Sequence, residues 1–220
     1  MNNQTIKATL LTPLPLPKNQ LTWNHINGRQ LPWKKIHNSL WKAPVPNNWN
    51  QLHWLFLRKS LFLGENAAKH NLLFIPHICL QCGSPETHQH LFFHCTRAKL
   101  LWDWASVWWS KFSNQTYPPI TLEHVLISGA TSPIPKQDPK LLPIWQSIHR
   151  TIMWTLWITR CKEVFGDSDI SDPHLFQIFK SNLKKIILFS HFIPKYHKLF
   201  TLWQKTFISV SDPHNFQFLF

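Results

Sequence analysis

The first 64 residues contain neither aspartate nor glutamate, while Lys7, Lys18, Arg29, Lys34, Lys35, Lys42, Arg58 and Lys59 all fall there. Acid is scarce again from residue 173 onward, where six lysines face Asp212 alone. Between these flanks, residues 65–172 balance nine basic against nine acidic side chains. The formal charge of +13 therefore comes from the two ends. That layout points to a polyanionic partner, nucleic acid ahead of an anionic membrane. Glycine is scarce too, with five against seventeen prolines. Turns and stiff spacers follow, and a phosphate-cradling glycine loop is excluded. Long apolar runs are missing: none reaches eighteen residues, so no transmembrane helix is expected. The one apolar stretch near the start, LLTPLPLPKNQ, is cut by Pro13, Pro15 and Pro17 and cannot serve as a signal peptide core. The expected location is intracellular, with nucleus or cytoplasm left open. In that setting four cysteines suggest metal binding sooner than a disulfide framework.

Clustered catalytic carboxylates are also missing. Nucleotide transfer by two metals needs grouped aspartates, and the sole acidic group is Asp167, Asp169 and Asp172 in GDSDISDPH. That group reads as one helix ending and another beginning. No Tyr-x-Asp-Asp segment occurs, and Asp138-Pro139-Lys140 supplies half of a nuclease motif at most. Cys161 has no base nearby in sequence and reads as core. The chain is expected not to be an enzyme.

What is abundant is aromatic: thirteen Trp and sixteen Phe in a chain that is 44% hydrophobic and 15% charged. Most of these rings belong in a core. Residues 1–48, with six prolines and isolated Trp23, Trp33 and Trp41, show no helical or strand period and read as a disordered, basic, Pro-rich arm. From Trp49 the spacing of Leu52, Leu55, Phe56, Lys59 and Leu63 predicts a helix, with Gly64 ending it or bending it toward a short helix over 65–73. Residues 96–112 predict another, with Leu101, Trp104, Val107 and Trp108 along one side. A short helix over 121–128 and the linker ATSPIPKQDP follow. Asp138 and Pro139 then suit the cap and first residue of a long helix. Its buried stripe is Trp145, Ile148, Ile152, Leu156 and Cys161, and Gly166 is its stop. Ser171-Asp172-Pro173 starts a helix running to about residue 189, and a second SDPH at 211–214 suggests the same capping use. The expected fold is mostly α, a small helical domain organised around a zinc knuckle. The expected divisions are 1–48, 49–113, a linker over 114–137, and a helical region over 138–220.

The sharpest pattern is ICLQCGSPETHQHLFFHC. Cys79 and Cys82 form a C-x-x-C step whose backbone can turn its amides toward both sulfurs, with Gly83 relieving the crowding that follows. His90 and Cys95 return to complete four ligands, as structural zinc requires, and thiolates with imidazole favour zinc over oxygen-seeking cations. His88 or His94 offers an alternative fourth ligand. Adjacency to Cys95 disfavours His94, while spacing alone leaves His88 open.

Taken with Glu86-Thr87, His90-Leu91-Phe92 and Trp102, the C-x2-C-x7-H-x4-C series resembles the zinc-binding domain of reverse transcriptases from non-LTR (LINE-type) retrotransposons. The resemblance extends upstream through 49–63 and 71–73. Downstream it reaches Ile152–Trp157, Arg160 and Val164-Phe165, covering about residues 49–166. It implies a Zn2+ ion held by Cys79, Cys82, His90 and Cys95, and retroelement origin, with a reverse transcriptase polypeptide as a further partner. Two readings follow. In the first, a non-catalytic zinc module binds RNA or DNA, using Lys34, Lys35, Arg58, Lys59, Lys180, Lys184 and Lys185 on phosphates. In the second, zinc stabilises a structural or protein-interaction domain that has no nucleic-acid role.

Overall fold

The computed structural model of the protein describes residues 23, 31–71, 74–113, 119–127, 141–166, 169–212 and 215–218, with side chains described except over 111–113 and 205–218. The chain divides into two units, residues 1–33 and 34–220. In the first, Trp23, Leu31 and Trp33 are buried.

Helix α1 (Trp33–Leu40) lies within the stretch expected to be an arm without helix. Three prolines before residue 18 and two after residue 43 obscured an amphipathic octet: Ile36 and Leu40 are buried, and Lys34 and Lys35 are exposed. Helix α2 (Asn47–Leu57) buries Trp49, Leu52, His53 and Phe56. It stops well before Gly64. Lys59 takes a left-handed φ of 50°, the Ser60 N–H reaches Leu55 O at 2.9 Å, and the Lys59 N–H reaches Phe56 O at 2.9 Å. This is a Schellman ending, with lysine where glycine is usual. Gly64 instead opens helix α3 (Gly64–Lys69). A Cβ on Gly64 would fall 2.7 Å from Pro76 O and 2.8 Å from His77 Cα. The glycine therefore permits close backbone approach rather than a helix stop.

Helix α4 (Thr96–Ser113) forms where expected but is rotated. Its buried side is Ala98, Leu101, Trp102, Ala105 and Trp109, while Val107 is 57% exposed and Trp104 and Trp108 are half-buried. Helix α5 (Leu122–Ile127) matches the short helix expected there. Asp138 and Pro139 lie outside the described residues. Helix α6 (Leu142–Phe165) buries Trp145, Ile148, Ile152 and Leu156 as the stripe predicted, with Cys161 at its half-buried edge. Gly166 caps it in an extended conformation, φ −133° and ψ 137°, rather than a left-handed one. Helix α7 (Asp172–Phe192) has Pro173 in its first turn and buries Leu175, Phe179, Leu183, Ile186 and Ile187. It packs antiparallel on α6, since Thr155 Oγ1 accepts from Asn182 Nδ2 at 3.1 Å and the two helices join through a short connection.

Helix α8 (His197–Phe207) packs on α7 and leads into a hairpin of β1 (Ile208–Asp212) and β2 (Asn215–Phe218). The strands are antiparallel, Ile208 opposite Phe218, with an irregularity between Val210 and Asp212. Ser211 and Asp212 of the second SDPH therefore end a strand instead of capping a helix, which corrects the shared-cap reading, while Pro213 and His214 lie outside the described residues; four letters do not fix a local structure that neighbours decide. The architecture is otherwise helical throughout the described residues. Among the described residues no helix is long and apolar enough to cross a membrane.

A polar knot lies between α1, α2, α5 and α6. Arg150, 1% exposed, donates from Nε to Asn50 Oδ1 at 3.2 Å and from Nη1 to His149 Nδ1 at 2.8 Å. His149 Nε2 then donates to Val125 O at 2.7 Å, and His53 Nε2 donates to Leu126 O at 3.1 Å. Burial first, and the Arg150 charge second, hold both histidines well below their ordinary value near 6.5. Their mutual proximity, with ring centroids 5.1 Å apart, lowers His53 further. Both rings are neutral in the fold but take up protons once the chain unfolds below pH 6.5, so the unfolded state binds more protons there. Stability is therefore complete above about pH 6.5 and falls as pH drops, by up to about 1.4 kcal/mol per pH unit for each ring. Urea unfolding at pH 7 and pH 5, with zinc release followed in parallel, checks this. A His53→Gln/His149→Gln variant is expected to lose that part of the slope; an unchanged slope would place the acid sensitivity elsewhere.

Candidate metal centre

The knuckle is built by its backbone. The Gly83 N–H returns to Cys79 O at 2.9 Å, the Cys79 N–H meets Ser84 O at 2.8 Å, and Ile78 pairs with Pro85 in an isolated antiparallel bridge. Gly83 has φ +68°, and an added Cβ would meet nothing within 4 Å. Its necessity is conformational, not the crowding expected from sequence. Across the loop, Thr87 Oγ1 accepts from the His90 N–H at 3.0 Å and starts the π-helical turn His90–His94. That turn closes when the Cys95 N–H reaches His90 O at 2.8 Å. Trp102 Nε1 donates to Phe92 O at 2.8 Å, and Phe92 meets Phe56 edge-on at 4.9 Å, seating the turn on α4 and α2.

These contacts bring one donor each from Cys79, Cys82, His90 and Cys95 to within 4.8 Å of one another. Cys79 Sγ and Cys95 Sγ are 3.9 Å apart, and Cys82 Sγ and His90 Nε2 are 3.2 Å apart. A tetrahedral zinc site with ordinary Zn–S and Zn–N bonds has edges of about 3.4–3.8 Å, so the spacing fits. The hydrogen bond from Cys79, ahead of the Arg97 N–H, holds the buried Cys95 thiol down at about 7. Cys79 is pushed up to about 12, first by that same bond and then by burial. A second thiolate there needs a cation to offset it. Three sulfurs and an imidazole suit a soft-to-borderline divalent ion, with all four positions filled by protein.

Neither alternative histidine joins the cluster. His88 is fully buried, its Nε2 accepting the Leu61 N–H at 3.2 Å and its Nδ1 bonding Glu65 Oε1. With Nε2 accepting, Nδ1–H is the donor of that pair. Burial opposes charge on Glu65, yet its bonds to the His88 side chain and N–H bring it down to about 2. His94 is exposed, its ring against Phe93.

Residues 19–102 match the family described as zinc-binding in reverse transcriptase. The match holds all four donors, starts earlier in the chain than the expected 49, and ends at Trp102 rather than reaching 166. It is a match to a zinc-binding domain, not to a polymerase domain. No curated protein and no solved structure matches the chain.

Two buried ion pairs fasten this segment to α6. Glu86, 4% exposed, accepts from Arg160 Nε at 2.9 Å and Nη2 at 2.8 Å, and its Oε2 also accepts the Gly64 N–H at 2.8 Å. Arg97 Nη1 donates to Glu163 Oε1 at 2.6 Å, and Arg97 also bonds Ile170 O. Sequence reading used Glu86 and Arg160 as family markers, weighed His88 only as a metal ligand, and gave no role to Arg97, Glu163 or the Glu65 carboxylate. A pair separated by 66 or 74 residues leaves no local pattern to find.

The basic residues expected to meet phosphates are dispersed. Lys34 and Lys35 are exposed on α1, and Arg58 caps α2 with its guanidinium 5.1 Å from the Trp54 ring. His37, three residues after Lys34, meets the other side of this region with its ring 5.3 Å from Trp54. Lys59 and Lys180 are half-buried, and Lys184 and Lys185 are exposed on α7. Of the acidic trio, Asp167 is outside the described residues, Asp169 is exposed, and Asp172 opens α7 with Oδ1 4.0 Å from Arg97 Nε.

Proposed function

We propose that this chain is a non-catalytic zinc-binding module from the C-terminal region of a non-LTR retrotransposon reverse transcriptase, and that it binds RNA or DNA. The four-donor knuckle inside a segment matched as a reverse transcriptase zinc-binding domain carries the reading. Zinc held there closes a structural site with no open position for substrate, and the protein's own residues do the rest. Acid-free residues 1–64 and the lysines of α7 supply positive charge to the phosphate backbone. Affinity is electrostatic and independent of sequence, and a reverse transcriptase polypeptide is the natural covalent or noncovalent neighbour.

Binding of labelled RNA and DNA at increasing salt tests this. Affinity is expected to fall steeply as salt rises, and a Lys180→Gln/Lys184→Gln/Lys185→Gln variant is expected to lower the slope by about 0.7–0.9 for each lysine that contacts a phosphate. Failure of the zinc-loaded parent to bind at low salt would leave a structural domain instead.

A further inference from the structure

Lysine 162 lies in the charge-neutral middle of the sequence, where nothing marks it, yet α6 delivers it to the basic face of α7. Between these helices runs a groove of about 300 Å3, lined by Ile158 and Lys162 from α6 and by His174, Gln177, Ser181 and Lys185 from α7 among others. On α7 these positions recur at three- and four-residue steps, so they form one continuous stripe. Among the described residues no acidic side chain lines the groove. A different opening, beside the knuckle and lined by Leu80, Gln81, Glu163 and Asp169, has the opposite character.

We propose that the α6–α7 groove is the site where this protein holds the phosphodiester backbone of a single nucleic-acid strand. The proposal rests on the nucleic-acid reading above and gives it an address. Two lysines from separate helices offer ammonium groups to a phosphate, the Gln177 amide and Ser181 hydroxyl offer hydrogen-bond donors, and half-buried Ile158 gives an apolar surface for a sugar. The groove is shallow and open to solvent, with Lys162, His174, Gln177, Ser181 and Lys185 all exposed along it. A flexible strand can enter it, whereas the rigid cylinder of a duplex meets the outer ridge that carries exposed Lys184. Lys185 therefore belongs with Lys162 rather than with Lys180 and Lys184, the grouping that sequence spacing suggests.

The experiment compares the parent with Lys162→Gln/Lys185→Gln, Lys180→Gln/Lys184→Gln and Lys185→Arg, all zinc-loaded and of equal helicity. Each is titrated with labelled oligouridylate and with a duplex of equal length at several salt concentrations. Loss of two phosphate contacts is expected to reduce the single-strand salt slope by about 1.4 in the groove variant. The ridge variant should lose less than half as much, Lys185→Arg should bind like the parent, and duplex binding should change less than single-strand binding. If the parent binds but the groove variant matches it, the groove assignment is wrong and the nucleic-acid reading stands. If the parent binds no oligonucleotide at low salt, both fall. Inorganic phosphate that shifts the Ser181 and Lys185 amide resonances without any oligonucleotide binding would mean a free-phosphate site, and would overturn the strand assignment.

Discussion

Cys82→Ser is expected to abolish stoichiometric zinc and to unfold the knuckle. Cys82 is the most exposed of the four donors, so little packing is lost with its sulfur, and the effect isolates the metal. Structural zinc contributes its binding free energy to folding, about 10–16 kcal/mol in isolated zinc-finger peptides. The turn from Cys79 to Ser84 that carries Cys82 is held by two backbone bonds and the Gln81–Glu163 hydrogen bond, whereas Glu86, His88 and Phe92 anchor the rest of the loop. Zinc content by elemental analysis and helicity by circular dichroism provide the check. The controls separate ligands from neighbours. His90→Ala should lose zinc, and His94→Ala should keep it, since His94 points to solvent. His88→Ala should keep zinc while losing stability, because it removes the acceptor for Leu61 N–H and the donor to Glu65. Retention of zinc by His90→Ala with loss in His94→Ala would overturn the ligand set.

The four-donor cluster was legible because four residues within seventeen positions obey local geometry, and local geometry is what spacing encodes. The long helices were legible for the same reason, through Trp145, Ile148 and Ile152 on α6 or Phe179, Leu183 and Ile186 on α7. What failed was phase and context. Helix α4 turned so that Trp109 entered the core and Val107 faced solvent, because Trp145, 5.4 Å away edge-on, decides which ring is covered. Helix α1 hid inside a proline-rich stretch, and Gly64 looked like a stop because its real constraint is a backbone thirteen residues away. Lys59 ended α2 by adopting a conformation that its identity does not announce. Charge summed along the chain found the basic ends but missed Lys162, which only the pairing of α6 with α7 brings to the same groove as Lys185.

Glu86→Gln is expected to be the most damaging change outside the ligands. Its carboxylate is buried and has three assigned donors: two nitrogens of Arg160 and the first N–H of α3. Removing one member of a buried ion pair leaves the other charge without compensation, which costs about 3–5 kcal/mol. An amide at position 86 can accept with its oxygen, but its NH2 would face another donor, either Arg160 or Gly64. Arg160→Gln should be less severe, since Glu86 keeps the Gly64 N–H. The double variant should lose less than the sum of the two, with a coupling of about 2–3 kcal/mol. Equilibrium unfolding in urea of the four proteins, each at saturating zinc, closes the cycle. Additive losses would mean that the pair contributes packing alone. A clear coupling with zinc still bound would establish that Glu86 is the joint through which the knuckle, α3 and α6 stand or fall together.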